Sequence, residues 1–130
     1  MPSSDGHTVV LAIVGSQEKY FTSDDKEAAR VFIIHLLETY RPDIVISGGA
    51  SGIDSWAAEI ARGAGFLVTE FLPEQRRWAP HGFMERNKKI AEQCTVLARI
   101  AHRKSTTYGS GWTRDYAERI GKPTVQFEVG

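Results

Sequence analysis

Three short segments of this sequence combine glycine with small or polar residues in a way that suits ligand chemistry: Gly15-Ser16-Gln17, Gly48-Gly49-Ala50-Ser51-Gly52-Ile53-Asp54, and Gly109-Ser110-Gly111 with its flanks Tyr108 and Trp112-Thr113. The second is the richest. Gly48, Gly49 and Gly52 let the backbone approach a ligand closely, and a helix beginning just beyond them would aim its free N–H groups and positive dipole end outward. That is the chemistry of an anion cradle. Glycine in a strand-to-helix turn can also serve only the dihedral angles, but this turn holds three glycines together with Ala50 and Ser51, which favours a ligand turn.

Asp54 admits two readings. It caps the following helix and complements its dipole, or it takes a ribose hydroxyl; a carboxylate would repel a phosphate at the same spot. Arg86-Asn87 offers a guanidinium and an amide from the side, and Trp78 offers a ring for stacking on a base or for covering the edge of the core. The late Gly109-Ser110-Gly111 segment, placed before a helix, is a second candidate anion-holding terminus.

Several common chemistries are excluded by pattern. The glycines do not spell GxGxxG, no Lys-Ser/Thr pair follows them, and no GxSxG elbow is present. The histidines at 7, 35, 81 and 102 share no metal-ligand spacing with one another or with Cys94, so neither a metal nor a cofactor is expected.

The elements that must position these residues alternate. Thr8–Val14 reads as a strand buried on both faces, Asp43–Ser47 as a short apolar strand, Phe66–Phe71 and Thr95–Ala101 as the third and fourth strands, and Pro123–Val129 as the last. Helical spacing places Ala28, Val31, Phe32, Leu36 and Tyr40 on one face from Asp24 to Tyr40, with Asp24 and Glu27 as a capping box. Ile53, Trp56, Ala57, Ile60 and Ala61 mark a second helix, and Phe83, Met84, Ile90, Ala91 and Cys94 a third. A loop over 102–110 precedes a last helix from about Gly111 to Ile120. A βα unit repeated in this way predicts a Rossmann-like three-layer α/β sandwich with a five-stranded, mainly parallel sheet. Its ligand crevice should lie at the carboxyl ends of the strands.

The 130 residues suit one domain with residues 1–7 as a flexible N-terminus, and a lone cysteine forms no internal bridge. Sixteen basic residues balance sixteen acidic ones, so no global field steers the chain to nucleic acid or to a membrane, and any anion site must be local. No signal-peptide pattern or membrane-length apolar run is read, which makes a cytoplasmic location the default expectation. Apolar helix faces around Phe32, Leu36, Trp56 and Phe83 suggest a homo-oligomer.

Taken together, the Gly15-Ser16-Gln17 turn, the GGASGID turn at 48–54, the Arg86-Asn87 pair and Gly109-Ser110-Gly111 resemble the SLOG superfamily, most closely its YspA-like branch. The resemblance spans nearly the whole chain, and the GGASGID turn is its specific part. It implies a nucleotide-binding domain, with the site on Gly15, Ser16, Gly48, Gly49, Ala50, Ser51, Gly52, Asp54, Trp78, Arg86, Asn87, Gly109, Ser110 and Gly111. Similar proteins include sensors of nucleotide-derived ligands, binders of single-stranded DNA, and hydrolases of nucleoside monophosphates. The hydrolases of this group carry PGGxGTxxE. Here Trp112 stands at the threonine, and the glutamate position falls on Arg114 or Asp115; Gln17 replaces the usual arginine. The expected function is therefore binding or sensing of a nucleotide or a related phosphorylated ligand, with the amides of Gly48–Gly52 and Gly109–Gly111 on phosphate or ribose and Arg86 supplying charge. A phosphoribohydrolase-like enzyme using Asp115 or Asp54 is the alternative. So is single-stranded DNA binding through Arg76, Arg77, Trp78, Arg103 and Lys104.

Overall fold

The computed structural model describes residues 8–106 and 108–130. The N-terminal segment expected to be flexible, 1–7, lies outside the described residues.

Val10–Gly15 (β1), Ile44–Ser47 (β2), Leu67–Glu70 (β3), Val96–His102 (β4) and Thr124–Val129 (β5) form one sheet in the order β3-β2-β1-β4-β5. Every pairing is parallel. Between the strands run α1 (Ser23–Tyr40), α2 (Ile53–Gly63), α3 (Phe83–Gln93) and α4 (Gly109–Arg119), with a single 3-10 turn at Glu18–Tyr20. The Rossmann-like architecture expected from the alternation is the one found.

The continuous apolar runs of β1 and β4 follow from burial on both faces. Leu11 and Ile13, with Ala98 and Ile100, enter a core shared with Ala29, Ile33 and Leu36 of α1 and Trp56 and Ala57 of α2. Ala12, Val14 and Leu97 enter the opposite core with Ile90 and Ala91 of α3 and Ala117 of α4. α1 and α2 thus cover one face and α3 and α4 the other, as right-handed crossovers on either side of β1 require.

Two details of α1 differ from expectation. The capping box is Thr22 with Asp25, whose side chain and backbone groups exchange hydrogen bonds of 3.1 Å each, rather than Asp24 with Glu27. The earlier of two overlapping patterns starts the helix. The buried stripe runs through Ala29, Ile33, Leu36 and Leu37, while Val31 is exposed, so the apolar face is rotated from the predicted one. α4 begins at Gly109, so Gly109-Ser110-Gly111 is its first turn rather than a loop before it. The helix faces expected to await a second copy are largely covered within the chain. Leu36 and Trp56 are buried, Phe83 is half-buried, and Phe32 stacks on Phe127 at 4.4 Å. Those faces therefore supply no argument for self-association.

Candidate functional site

Strand order reverses between β1 and β4: the chain passes from β1 to β2 and β3 on one side, then returns through α3 to β4 on the other. At such a reversal the connecting loops diverge and leave a crevice beyond the carboxyl ends of the strands. Here that crevice has a volume of about 200 Å³. β1 and its exit line it with Val14, Gly15 and Gln17, and the turn into α2 adds Ala50 and Asp54. Trp78 comes from the loop before α3, then Phe83, Arg86, Asn87 and Ile90 from α3, and Gly109, Ser110 and Thr113 from α4. A larger hollow of about 820 Å³ lies between the C-terminal ends of α1 and α2, but none of the candidate site residues lines it.

Gly15 ends β1 where α2 must start close by. A Cβ there would stand 2.2 Å from the Ile100 carbonyl oxygen and 2.6 Å from Ile53 Cγ1. Ser16 then joins the two central strands: its N–H donates to the Ile100 carbonyl (3.2 Å), and its hydroxyl accepts from the His102 N–H (2.8 Å). It is buried and does not line the crevice.

Three amides of the turn from Gly48 to Asp54 already donate within the protein. The Gly49 N–H donates to Ser47 Oγ (3.2 Å), the Ala50 N–H to Asp54 Oδ2 (3.4 Å) and the Ile53 N–H to the Ser16 carbonyl (3.2 Å). Ser47 Oγ in turn donates to the Asp54 carbonyl at 2.8 Å, and Ser55 Oγ to the Ala50 carbonyl at 2.7 Å. Gly49 and Gly52 have φ of 75° and 86°, a region that L side chains rarely occupy. Backbone conformation thus accounts for both glycines without a ligand. Gly48, Gly49, Ser51 and Gly52 do not line the crevice, whereas Ala50 does.

Asp54 occupies the first turn of α2 and is 6% exposed, yet its Oδ1 has no hydrogen-bond partner among the described residues. Burial pushes its carboxyl up to about 6, against the opposing pull of Arg86 and the amides of Ala50 and Gly15. Arg86 supplies the counter-charge without donating to it: Nη1 donates to the Gly48 carbonyl and, at 3.4 Å, to that of Phe71, while Nε donates to Asn87 Oδ1 at 2.7 Å. Burial pulls the guanidinium below its ordinary value and Asp54 opposes that. Asn87 Nδ2 reaches the Gly109 carbonyl at 3.5 Å, so the Arg86-Asn87 pair ties the α2 turn to the start of α4.

That start has a different character. By helix geometry the first N–H groups of α4 lack intrahelical partners, and no acidic residue stands in its first turn. Ser110 Oγ accepts from Arg99 Nε at 2.9 Å, and Arg99 Nη1 donates to Gln126 Oε1 at 3.2 Å. Arg99 makes no ion pair among the described residues. Burial, and then the neighbouring Arg114 charge, pull its guanidinium below the ordinary value. The nearest acid on the helix, Asp115, is held below the usual carboxylate range by the Tyr108 hydroxyl and Arg114, and it does not line the crevice. Gly111 is buried under the Tyr108 ring.

Trp78 stands at the mouth of the crevice, 41% exposed, with its ring edge-on to Trp112 at 5.2 Å. Of the residues proposed from the sequence, the crevice brings together Gly15, Ala50, Asp54, Trp78, Arg86, Asn87, Gly109 and Ser110. Sequence reasoning missed Arg99, a single cation inside an apolar strand, and the wall residues Phe83 and Thr113. Of the cations grouped for DNA binding, two have local partners: Arg77 Nε donates to the Pro80 carbonyl at 2.9 Å, and Arg103 pairs with Glu128 at 3.3 Å. His102 is buried beside Asp25, with Nε2 2.8 Å from its Oδ2 and Nδ1 accepting from the Lys104 N–H at 3.0 Å. That pair fastens β4 to α1.

The parallel sheet, the helices on both faces and the crevice at the reversal of strand order define a Rossmann-like α/β domain. Among solved structures, the molybdenum cofactor carrier protein of Chlamydomonas reinhardtii superposes with a TM-score of 0.68 at 17% identity, over 92% of this chain and 76% of that one. DNA processing protein A from Helicobacter pylori, whose single-stranded DNA binding mode has been described structurally, gives 0.66 at 18% identity, over 96% and 68%. Its counterpart from Streptococcus pneumoniae gives 0.56 at 15%, over 91% and 58%. At these identities the likeness is one of fold. No family model matches the chain, and no curated protein matches it in sequence.

Proposed function

We propose that the crevice between β1 and β4 binds a nucleotide or a nucleotide-derived small molecule, with no catalytic group required. The observation that carries this reading is the convergence of two unlike polar ends on one small cavity. Ser110 with Arg99 behind it stands at the acid-free start of α4, and Asp54 stands at the start of α2. A phosphate suits the first end, where N–H groups, a hydroxyl and a cation held only by neutral acceptors meet it. A sugar suits the second, and Trp78 at the mouth offers a face to a base. The cofactor carrier among the structural neighbours makes small-molecule binding on this fold a reasonable precedent. A phosphoribohydrolase-like reading gains nothing from Asp115, which is turned to Tyr108 and Arg114.

Thermal melting with a panel of nucleoside 5′-monophosphates and their parent nucleosides tests the proposal. A ligand at a hundred times its dissociation constant adds about 2.7 kcal/mol, so a matching monophosphate should raise the melting temperature clearly. Arg99→Gln should weaken the monophosphate on the order of tenfold or more and the nucleoside far less. Absence of any shift across the panel contradicts the reading.

A further inference from the structure

We infer that the crevice selects purine over pyrimidine nucleotides by stacking on Trp78, and that Trp112 is the positioning residue that holds the Trp78 ring. The inference rests on the nucleotide reading above and adds the class of base to it. Two observations carry it, the size of the crevice and the aromatic row at its mouth.

At about 200 Å³ the crevice is smaller than most small-molecule pockets, which span roughly 300 to 1,000 Å³. With its phosphate at Ser110, a nucleotide is not enclosed there. Its base must lie at the mouth, where Trp78 stands 41% exposed. The polar side chains of the wall give little purchase on a base edge. Arg86 donates to the carbonyls of Gly48 and Phe71, and Asn87 and Thr113 both donate to that of Gly109. Gln17 also lines the wall, but an amide that both donates and accepts can meet any of the four bases. Discrimination therefore falls to the ring.

That ring is held from two sides. The Trp78 carbonyl accepts from the Met84 N–H at 2.9 Å, and the Arg77 carbonyl before it from the Phe83 N–H at 2.7 Å. The indole meets that of Trp112 edge to face, with centroids 5.2 Å apart and planes at 88°. Trp112 in turn lies parallel to Tyr116 at 5.4 Å, and Tyr116 is pinned by its hydroxyl, which donates to Glu92 Oε2 at 3.1 Å. Trp112 and Tyr116 stand one turn apart on α4, the helix whose start carries the proposed phosphate end. Ring and phosphate end thus share one element. A ring fixed before binding loses little freedom when a base stacks on it. A purine covers more of an indole than a pyrimidine does, and stacking gains with the area covered.

Calorimetric titration at neutral pH compares adenosine, guanosine, cytidine and uridine 5′-monophosphates with ribose 5-phosphate, on the wild-type chain and on Trp78→Leu, Trp112→Leu and Trp112→Phe. The two purines should bind the wild type alike and severalfold tighter than the two pyrimidines, with ribose 5-phosphate weakest. Trp78→Leu should weaken the purines on the order of tenfold, the scale of one base stacked on an aromatic ring, and leave ribose 5-phosphate unchanged. Trp112→Leu should shrink the purine preference, and Trp112→Phe, which keeps a ring there, should restore it. Equal wild-type affinity for all four nucleotides overturns the inference and leaves the crevice reading standing. So does a ranking that separates adenosine from guanosine more than purines from pyrimidines. A preference undiminished in Trp112→Leu, or a loss there shared equally by ribose 5-phosphate, overturns the positioning role of Trp112. Binding of none of the probes to the wild type overturns both readings.

Discussion

The two helix starts that meet at the crevice are alike in sequence and opposite in chemistry. Both follow a parallel strand, and both are rich in glycine and serine. At α2 the amides of Gly49, Ala50 and Ile53 donate to Ser47, Asp54 and Ser16, a carboxylate stands in the first helical turn, and Arg86 fills the space beside Gly48. At α4 the first turn carries no acid, and a Cβ on Gly109 would meet nothing within 4 Å. Glycine content alone therefore does not identify an anion cradle. What distinguishes the two is where the amides already donate and whether a carboxylate occupies the positive end of the helix.

Breaking the α2 turn should have the largest effect. Arg86→Ala removes the counter-charge of a buried carboxylate and should destabilise the fold by about 3 kcal/mol at neutral pH. The loss should be partly relieved in acid, where Asp54 is protonated. The sign follows from linkage. Asp54 has its folded value raised to about 6, so its contribution is most favourable below the unfolded carboxylate value and is lost as pH rises through 6. Asp54→Asn should accordingly gain stability relative to the wild type as pH is raised across that window. Urea melts at several pH values measure both effects.

Filling the two turns sharpens the contrast at smaller scale. Gly48→Ala drives a methyl group against Asp54 and Arg86 and should cost about 1 to 3 kcal/mol. Gly109→Ala meets open space within a helix and should be neutral or stabilising by up to about 1 kcal/mol. Denaturant midpoints of the two variants check the pair, and equal losses would remove the distinction between the turns.

Much of this frame was legible in the sequence, because strands buried on both faces read as unbroken apolar runs and their alternation with helical spacing dictates a parallel sheet. The positions of Asp54, Arg86 and Trp78 around one crevice followed from that topology. The start of α4 did not, since a first helical turn makes few bonds of its own and Gly109-Ser110-Gly111 therefore resembles a loop. Arg99 was illegible for a different reason: only the packing of α4 beside β4 brings it to Ser110, and a residue pattern along one strand carries no trace of that. The acceptors of the Gly49, Ala50 and Ile53 amides were hidden likewise, because they are the side chains of Ser47 and Asp54 and the carbonyl of Ser16 in a different turn.

Backbone amide shifts in an NMR titration with the tightest-binding nucleoside monophosphate, compared with its parent nucleoside, test the central claim most directly. The account predicts that the phosphate-dependent shifts are largest at Ser110 and Gly111, with small changes at Gly49 and Ala50. Phosphate-dependent shifts concentrated at Gly49 to Gly52, with α4 unmoved, would contradict it.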